Sequence, residues 1–294
     1  IFNALSLFRR LGVRVEFKKS VIKEYCKTAP VLLMATAGGK LSQEAEPLLI
    51  TVFLSPEVTT AYMITRRAAD IVFKMLSVIT GSTMGTFSHL VGSDNRDNVR
   101  NIASKLLFIS FSLGVTGFAA YVGLNQAFVS LWVGESFALD QMVILFIALG
   151  FFAQAFGGLL KRMLYGLGDF TYTSTVIMLE GVSRIFMASA LLSLLGVVGV
   201  PLAFALSCLL SILILGPRLK TELTMQYHLF STTRLMFSGV ILFGLATSLV
   251  QMKLPVDSWV GFSLYSGVFL LSVLIIYILI NWAKCRDIYR SFVT

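Results

Sequence analysis

Nine charged side chains lie inside otherwise apolar stretches of this sequence: Lys40, Glu44 and Glu46, then Arg66, Arg67, Asp70 and Lys74, then Glu180 and Arg184. Their spacing is that of helix faces. Lys40/Glu44, Arg66/Asp70, Asp70/Lys74 and Glu180/Arg184 are each four residues apart. At about 100° per residue, Arg66, Arg67, Asp70 and Lys74 share one sector of roughly 100°, and Thr173 joins Glu180 and Arg184 on theirs. A charge at the centre of a bilayer costs at least about 2.5–3.5 kcal/mol, so such faces are expected to line a polar interior. Two readings follow. The pairs lock helices together as structural ions, or the three faces together line a water-filled transport cavity crossing much of the membrane. Gly38-Gly39 and Pro47 bracket the first group and would let that helix bend.

Other chemistry is not encoded. Cys26, Cys208 and Cys285 have no metal-ligand spacing and no disulfide arrangement, and His89 and His228 are solitary. Gly38-Gly-Lys-Leu41 lacks the upstream Gly and following Ser/Thr of a phosphate-binding loop, and Gly166-Leu-Gly168 follows no strand. No nucleophile has a base beside it. The expectation is a non-enzyme with no cofactor and no metal.

These residues need elements to position them, and the composition says which. In 294 residues, 56% are hydrophobic and 13% charged, roughly half the charge of a soluble domain. Mean hydropathy is +0.84. Disorder, nucleic-acid binding and a disulfide scaffold are excluded, and lipid becomes part of the solvent. Eight spans are predicted, at about 29–54, 60–86, 105–124, 139–160, 171–194, 198–216, 235–252 and 260–282. Val268 to Ile280 is almost continuously apolar, without the alternation of a barrel strand, so the class is all-α integral membrane. Ser55-Pro-Glu, Ser93-Asp-Asn-Arg-Asp-Asn98, Gly166-Leu-Gly-Asp-Phe170 and Gly196-Val-Val-Gly-Val-Pro201 read as the connections.

The net charge of +9 sorts by side. With the N-terminus cytoplasmic, eighteen Lys and Arg fall on the cytoplasmic side, among them Arg9, Arg10, Arg14, Lys18, Lys19, Lys23 and Lys27 of a basic amphipathic lead-in, and Lys161 and Arg162. The opposite side holds Lys253 alone, with Glu57, Glu135, Asp140 and Asp257. This positive-inside bias places both ends of the chain in the cytoplasm. Trp132, Trp259 and Trp282 fall at the interfaces. Because the chain opens on Ile1 and residues 1–8 read as the tail of an earlier span, it is expected to be the C-terminal part of a longer protein.

The order of these features resembles the C-terminal half of polysaccharide (O-antigen type) flippases of the multidrug/oligosaccharidyl-lipid/polysaccharide (MOP) exporter superfamily. The residues that carry the resemblance are the basic lead-in, the charged span with Pro47, the Arg66-Arg67-x-x-Asp70 helix, the loop Phe128-Val-Ser-Leu-Trp-Val-Gly134, and the hairpin Leu164-Tyr-Gly-Leu-Gly-Asp … Gly196-Val-Val-Gly-Val-Pro-Leu-Ala-Phe-Ala205. It covers residues 15 to 285. It implies a basic interfacial segment at 1–28, a six-helix bundle at 29–216, a cytoplasmic loop at 217–234, two additional helices at 235–282 and a cytoplasmic tail at 283–294. It further implies ion-coupled alternating-access export of an isoprenoid-diphosphate-linked oligosaccharide across the bacterial inner membrane, for polysaccharide or lipopolysaccharide biosynthesis, alongside glycan polymerase machinery. On that comparison Lys40, Arg66, Arg67, Lys74 and Arg184 line the substrate cavity, with Arg66 and Arg67 suited to a diphosphate, since guanidinium bonds bidentately. Glu44, Glu46, Asp70 and Glu180 are the candidates for ion coupling. The alternatives are a multidrug or small-cation exporter of the same superfamily, which would prefer a net acidic cavity, and a membrane-embedded glycan-assembly enzyme, which would need a larger outer loop. A purely structural membrane subunit would not need nine intramembrane charges.

Overall fold

Backbone amides withdrawn from water must find partners within their own segment, so apolar stretches of this length fold as helices. The computed structural model describes residues 19–81, 83–92, 96–223, 258–282 and 286. The elements among them are α1 (Lys19–Phe53), α2 (Pro56–Gly81), α3 (Thr83–Gly92), α4 (Arg96–Val133), α5 (Gln141–Gly166), α6 (Phe170–Leu195), α7 (Gly199–Glu222) and α8 (Trp259–Ile280), with 3-10 turns at Glu135–Phe137 and Gly196–Val198. The described residues contain no strand.

Among the described residues four stretches are long and apolar enough to cross a membrane: Asn98–Val133, Gln141–Gly166, Phe170–Glu222 and Trp259–Leu279. The third contains both α6 and α7, joined through the Gly196–Val198 turn. The helices α1 and α2 are long enough but fall outside this set, in keeping with the charges they carry. Seven of the eight predicted spans therefore coincide with helices, and the span at 235–252 lies outside the described residues. Among the described residues α1 runs from Lys19 and α7 runs to Glu222. Pro30 and Pro47 are accommodated inside α1.

The connections follow their sequences. Asp140 caps α5 by accepting a hydrogen bond from the Gln141 backbone N–H. Gly196 ends α6 at φ +61° and ψ −145°, a conformation that excludes most side chains, and so lets the chain reverse into α7. The antiparallel pair α6 and α7 packs with α5, α1 packs along α6, and α2 and α4 close against α5. In the centre Phe73 stacks on Phe151 at 5.1 Å and Phe151 meets Phe204 edge-on at 5.2 Å. The eighth helix sits outside this group on α4. There Phe269 packs over Gly123, Tyr277 shares a hydrogen bond with Ser112, and Trp259 and Phe262 gather around Phe128.

Candidate functional site

Where α1, α2 and α6 meet, the bundle encloses a carboxylate. Glu46 is 1% exposed. Its Oε2 accepts hydrogen bonds from Arg66 Nη1 and, at 3.4 Å, from the Tyr62 hydroxyl, both on α2. Its Oε1 lies 3.1 Å from Arg184 Nε of α6, an ion-pair distance without hydrogen-bond alignment. Arg66 Nε also lies 3.5 Å from Asp70 Oδ1, one turn along α2. The spacing Tyr62, Arg66, Asp70 puts all three on one side of that helix.

An aromatic floor completes the cluster. The Arg184 guanidinium carbon sits 3.7 Å from the centre of the Phe204 ring, and that of Arg66 lies 5.6 Å from it and 5.4 Å from Phe151. The negative face of the rings attracts both cations. The Phe204 ring reaches this place because residue 150 is glycine: a Cβ there would fall 2.4 Å from the ring. The Gly38–Gly181 contact works the same way between α1 and α6, since a Cβ on Gly181 would fall 2.6 Å from the Gly38 carbonyl oxygen. This close approach brings Glu46 to Arg184. Gly38 is thus a packing residue within a continuous α1.

A second cluster lies one turn earlier on α6. Glu180 Oε2 is 2.6 Å from Lys161 Nζ of α5, with the two side chains 11% and 14% exposed. Its Oε1 accepts a long hydrogen bond from Cys208 Sγ of α7 at 3.7 Å.

The other predicted site residues face outward. Lys40 and Glu44 are exposed on α1, and Arg67 and Lys74 on α2, while Asp70 is half-buried. Thr36, Lys40, Gln43, Glu44 and Thr51 form one exposed polar stripe of α1, and Thr60, Arg67, Lys74 and Ser77 one of α2. Hydroxyls of Thr51 and Thr59, 2.8 Å apart, join the two helices beside their turn.

The nine predicted residues therefore separate into two sets. Of the four i,i+4 pairs, Arg66/Asp70 forms an ion pair; Glu180 and Arg184 instead take Lys161 and Glu46 on neighbouring helices, and no ion pair joins Lys40 to Glu44 or Asp70 to Lys74. Within the buried set, Glu46, Asp70 and Glu180 balance Arg66, Arg184 and Lys161. On the exposed set Lys40, Arg67 and Lys74 stand against Glu44 alone. Sequence reasoning missed Lys161, which it placed with the cytoplasmic charges, and it missed Phe204, Phe151 and Gly150. Tyr62 was findable, one turn before Arg66. Among the described residues no group of three or more His, Cys, Asp or Glu could hold a metal ion.

No family model matches the chain, and no curated protein matches it. Among solved structures it is similar to a MOP superfamily transporter from Pyrococcus furiosus Vc1 (DSM3638), whose binding pocket is described as reversed in polarity, suggesting a different function. The TM-score is 0.61 at 18% identity, over 87% of this chain and 61% of that one. The chain thus shares the fold of that neighbour where the two align, and spans 61% of its length.

Proposed function

We propose that this chain is part of a membrane transporter, not an enzyme, that moves an anionic isoprenoid-diphosphate-linked oligosaccharide across the bacterial inner membrane for polysaccharide or O-antigen assembly. The observation that carries the reading is the exposed cationic surplus of Lys40, Arg67 and Lys74 on α1 and α2 of a MOP-type fold. Three such charges against hydrocarbon would cost roughly 7–10 kcal/mol together, so these faces turn toward water and anionic groups. A diphosphate suits them, and Arg67 is the guanidinium left over for it, because Arg66 is already held by Glu46 and Asp70. Transport proceeds by ion-coupled alternating access, with both ends of this chain on the cytoplasmic side. Its partners are the bilayer, the lipid-linked glycan and the polymerase machinery that consumes it.

Complementation of a flippase-deficient strain by the complete protein tests this. Arg67→Ala combined with Lys74→Ala is expected to abolish surface glycan while leaving the amount of protein in the membrane unchanged. Surface glycan at wild-type level in that variant refutes the diphosphate role, and drug efflux without glycan export refutes the substrate class.

A further inference from the structure

At its open end the hairpin of α6 and α7 carries a group of charges that the proposed transport faces do not use. Arg218 Nε of α7 donates to Asp169 Oδ2, 2.8 Å away at the residue before α6. Its Nη2 lies 3.1 Å from Oε1 of Glu222, one turn further along α7. Tyr172 of α6 lies across the two helices. Its hydroxyl donates to the Ile214 carbonyl at 3.4 Å, and the Arg218 guanidinium carbon sits 5.3 Å from its ring centre. None of this is enclosed: the Arg218 side chain is 41% exposed, that of Glu222 36%, and Tyr172 is exposed as well.

The depth of the group follows from helix length. With 26 residues α6 spans about 39 Å, against about 30 Å of hydrocarbon. Phe170 and Glu222 bound the apolar stretch that the two helices form, so the group lies in the headgroup layer. Further along, the same helices leave Leu179, Val182 and Phe186 of α6 and Leu210 and Leu213 of α7 exposed, a surface for acyl chains.

What the group leaves open defines its ligand. Two carboxylates share one guanidinium, an excess of one negative charge. Among the described residues Arg218 gives one of its five N–H groups to a hydrogen bond, and Asp169 does not cap α6 with its side chain. Arg100 of α4 adds no charge here, since its Nε donates to the Leu223 carbonyl at 2.7 Å, and Lys220 lies about 200° around α7 from Arg218. A matching ligand therefore carries both signs: an anion for the remaining guanidinium N–H groups, and a cation with N–H donors for the carboxylates. The phosphate and primary ammonium of an ethanolamine phospholipid supply both. A glycerol headgroup brings only the anion, which the second carboxylate repels. A choline headgroup has the right charges but no N–H to donate.

We propose that Asp169, Tyr172, Arg218 and Glu222 form a headgroup site for phosphatidylethanolamine at the open end of the α6–α7 hairpin. The leaflet in which it lies rests on the orientation proposed above; the headgroup chemistry does not.

Native mass spectrometry of the complete protein, titrated in detergent with lipids of identical acyl chains, tests this. Phosphatidylethanolamine is expected to bind about tenfold tighter than phosphatidylcholine or phosphatidylglycerol, the worth of one charge-assisted hydrogen bond. Affinity should fall stepwise as the ethanolamine nitrogen is methylated, because N–H donors are lost at constant charge. Asp169→Asn combined with Glu222→Gln should erase the preference of ethanolamine over choline, and Arg218→Gln should weaken binding of both. Equal affinities for the ethanolamine and choline lipids in the wild type would show annular lipid only and overturn the proposal, whether or not the variants purify. A preference that survives the double variant overturns it too. A failed complementation alongside the expected lipid preference would refute the substrate reading alone.

Discussion

Replacing Glu46 by glutamine should be among the most damaging single changes to this bundle. The substitution preserves volume and removes one charge. The side chains concerned are 1% exposed for Glu46, 3% for Arg184 and 9% for Arg66, so solvent screening relieves little of the loss. After the change Arg66 still has Asp70 at 3.5 Å. Arg184 keeps the Phe204 face, but that contact is present in both proteins and cancels in the comparison. Breaking a buried ion pair from one side costs about 3–5 kcal/mol. With one of the two cations still paired, the lower part of that range applies, about 3–4 kcal/mol, or roughly a hundredfold to a thousandfold in the folding equilibrium. Arg184→Met should cost less, because Glu46 then retains Arg66. The double variant should recover at least about 1 kcal/mol relative to the sum of the single effects, since Arg184 is no longer left facing a vanished carboxylate. The assay is unfolding in mixed micelles, followed by circular dichroism as the denaturing detergent is raised. A Glu46→Gln protein within about 1 kcal/mol of wild type, or strictly additive single and double variants, would refute the reasoning.

Two further outcomes follow from the same geometry and the same assay. Gly181→Ala should destabilise by about 1–3 kcal/mol, because its methyl would meet the Gly38 backbone carbonyl at 2.6 Å and neither backbone can rotate away; Gly38→Ala, whose nearest new neighbour is at 3.7 Å, should be milder. Asp169→Asn should leave the unfolding curve unchanged, although Arg218 Nε lies 2.8 Å from the carboxylate, because the arginine side chain is 41% exposed and water screens the pair.

What was legible in the sequence was whatever depends on near neighbours. Continuous apolar runs announced α4, α5, α7 and α8, and Gly196-Val-Val-Gly-Val-Pro201 announced the reversal between α6 and α7. The charges of α1 and α2 were expected to face a polar interior, whereas Lys40, Glu44, Arg67 and Lys74 are exposed. The partner of each charge was not legible, because an i,i+4 spacing measures only the distance along one helix, while a neighbouring helix can offer a better-placed opposite charge. Glu180 illustrates this: Arg184 was the partner in the sequence, yet Lys161, on another helix, holds it at 2.6 Å. Phe204 and Gly150 carried no signal at all, since each is one of many residues of its type and gains its role only from the other's position.

The separation of charges into a balanced interior and a cationic exterior has a physical cause. A low-dielectric bundle tolerates charges only as neutral sets with good contacts, and Glu46, Asp70 and Glu180 with Arg66, Arg184 and Lys161 form such a set. A surplus has to remain where water or a ligand can answer it, and Lys40, Arg67 and Lys74 are exposed. Two adjacent arginines on α2 therefore have different uses. Arg66 is held against Glu46, Tyr62 and Asp70, and its loss should first lower the amount of folded protein. Arg67, a turn of 100° away on the same helix, touches no carboxylate among the described residues, and its loss should lower recognition of an anion at unchanged stability. Measuring both quantities for Arg66→Ala and Arg67→Ala tests the separation directly: equal losses of folded protein in the two variants would show that the boundary between interior and exterior charge has been drawn in the wrong place.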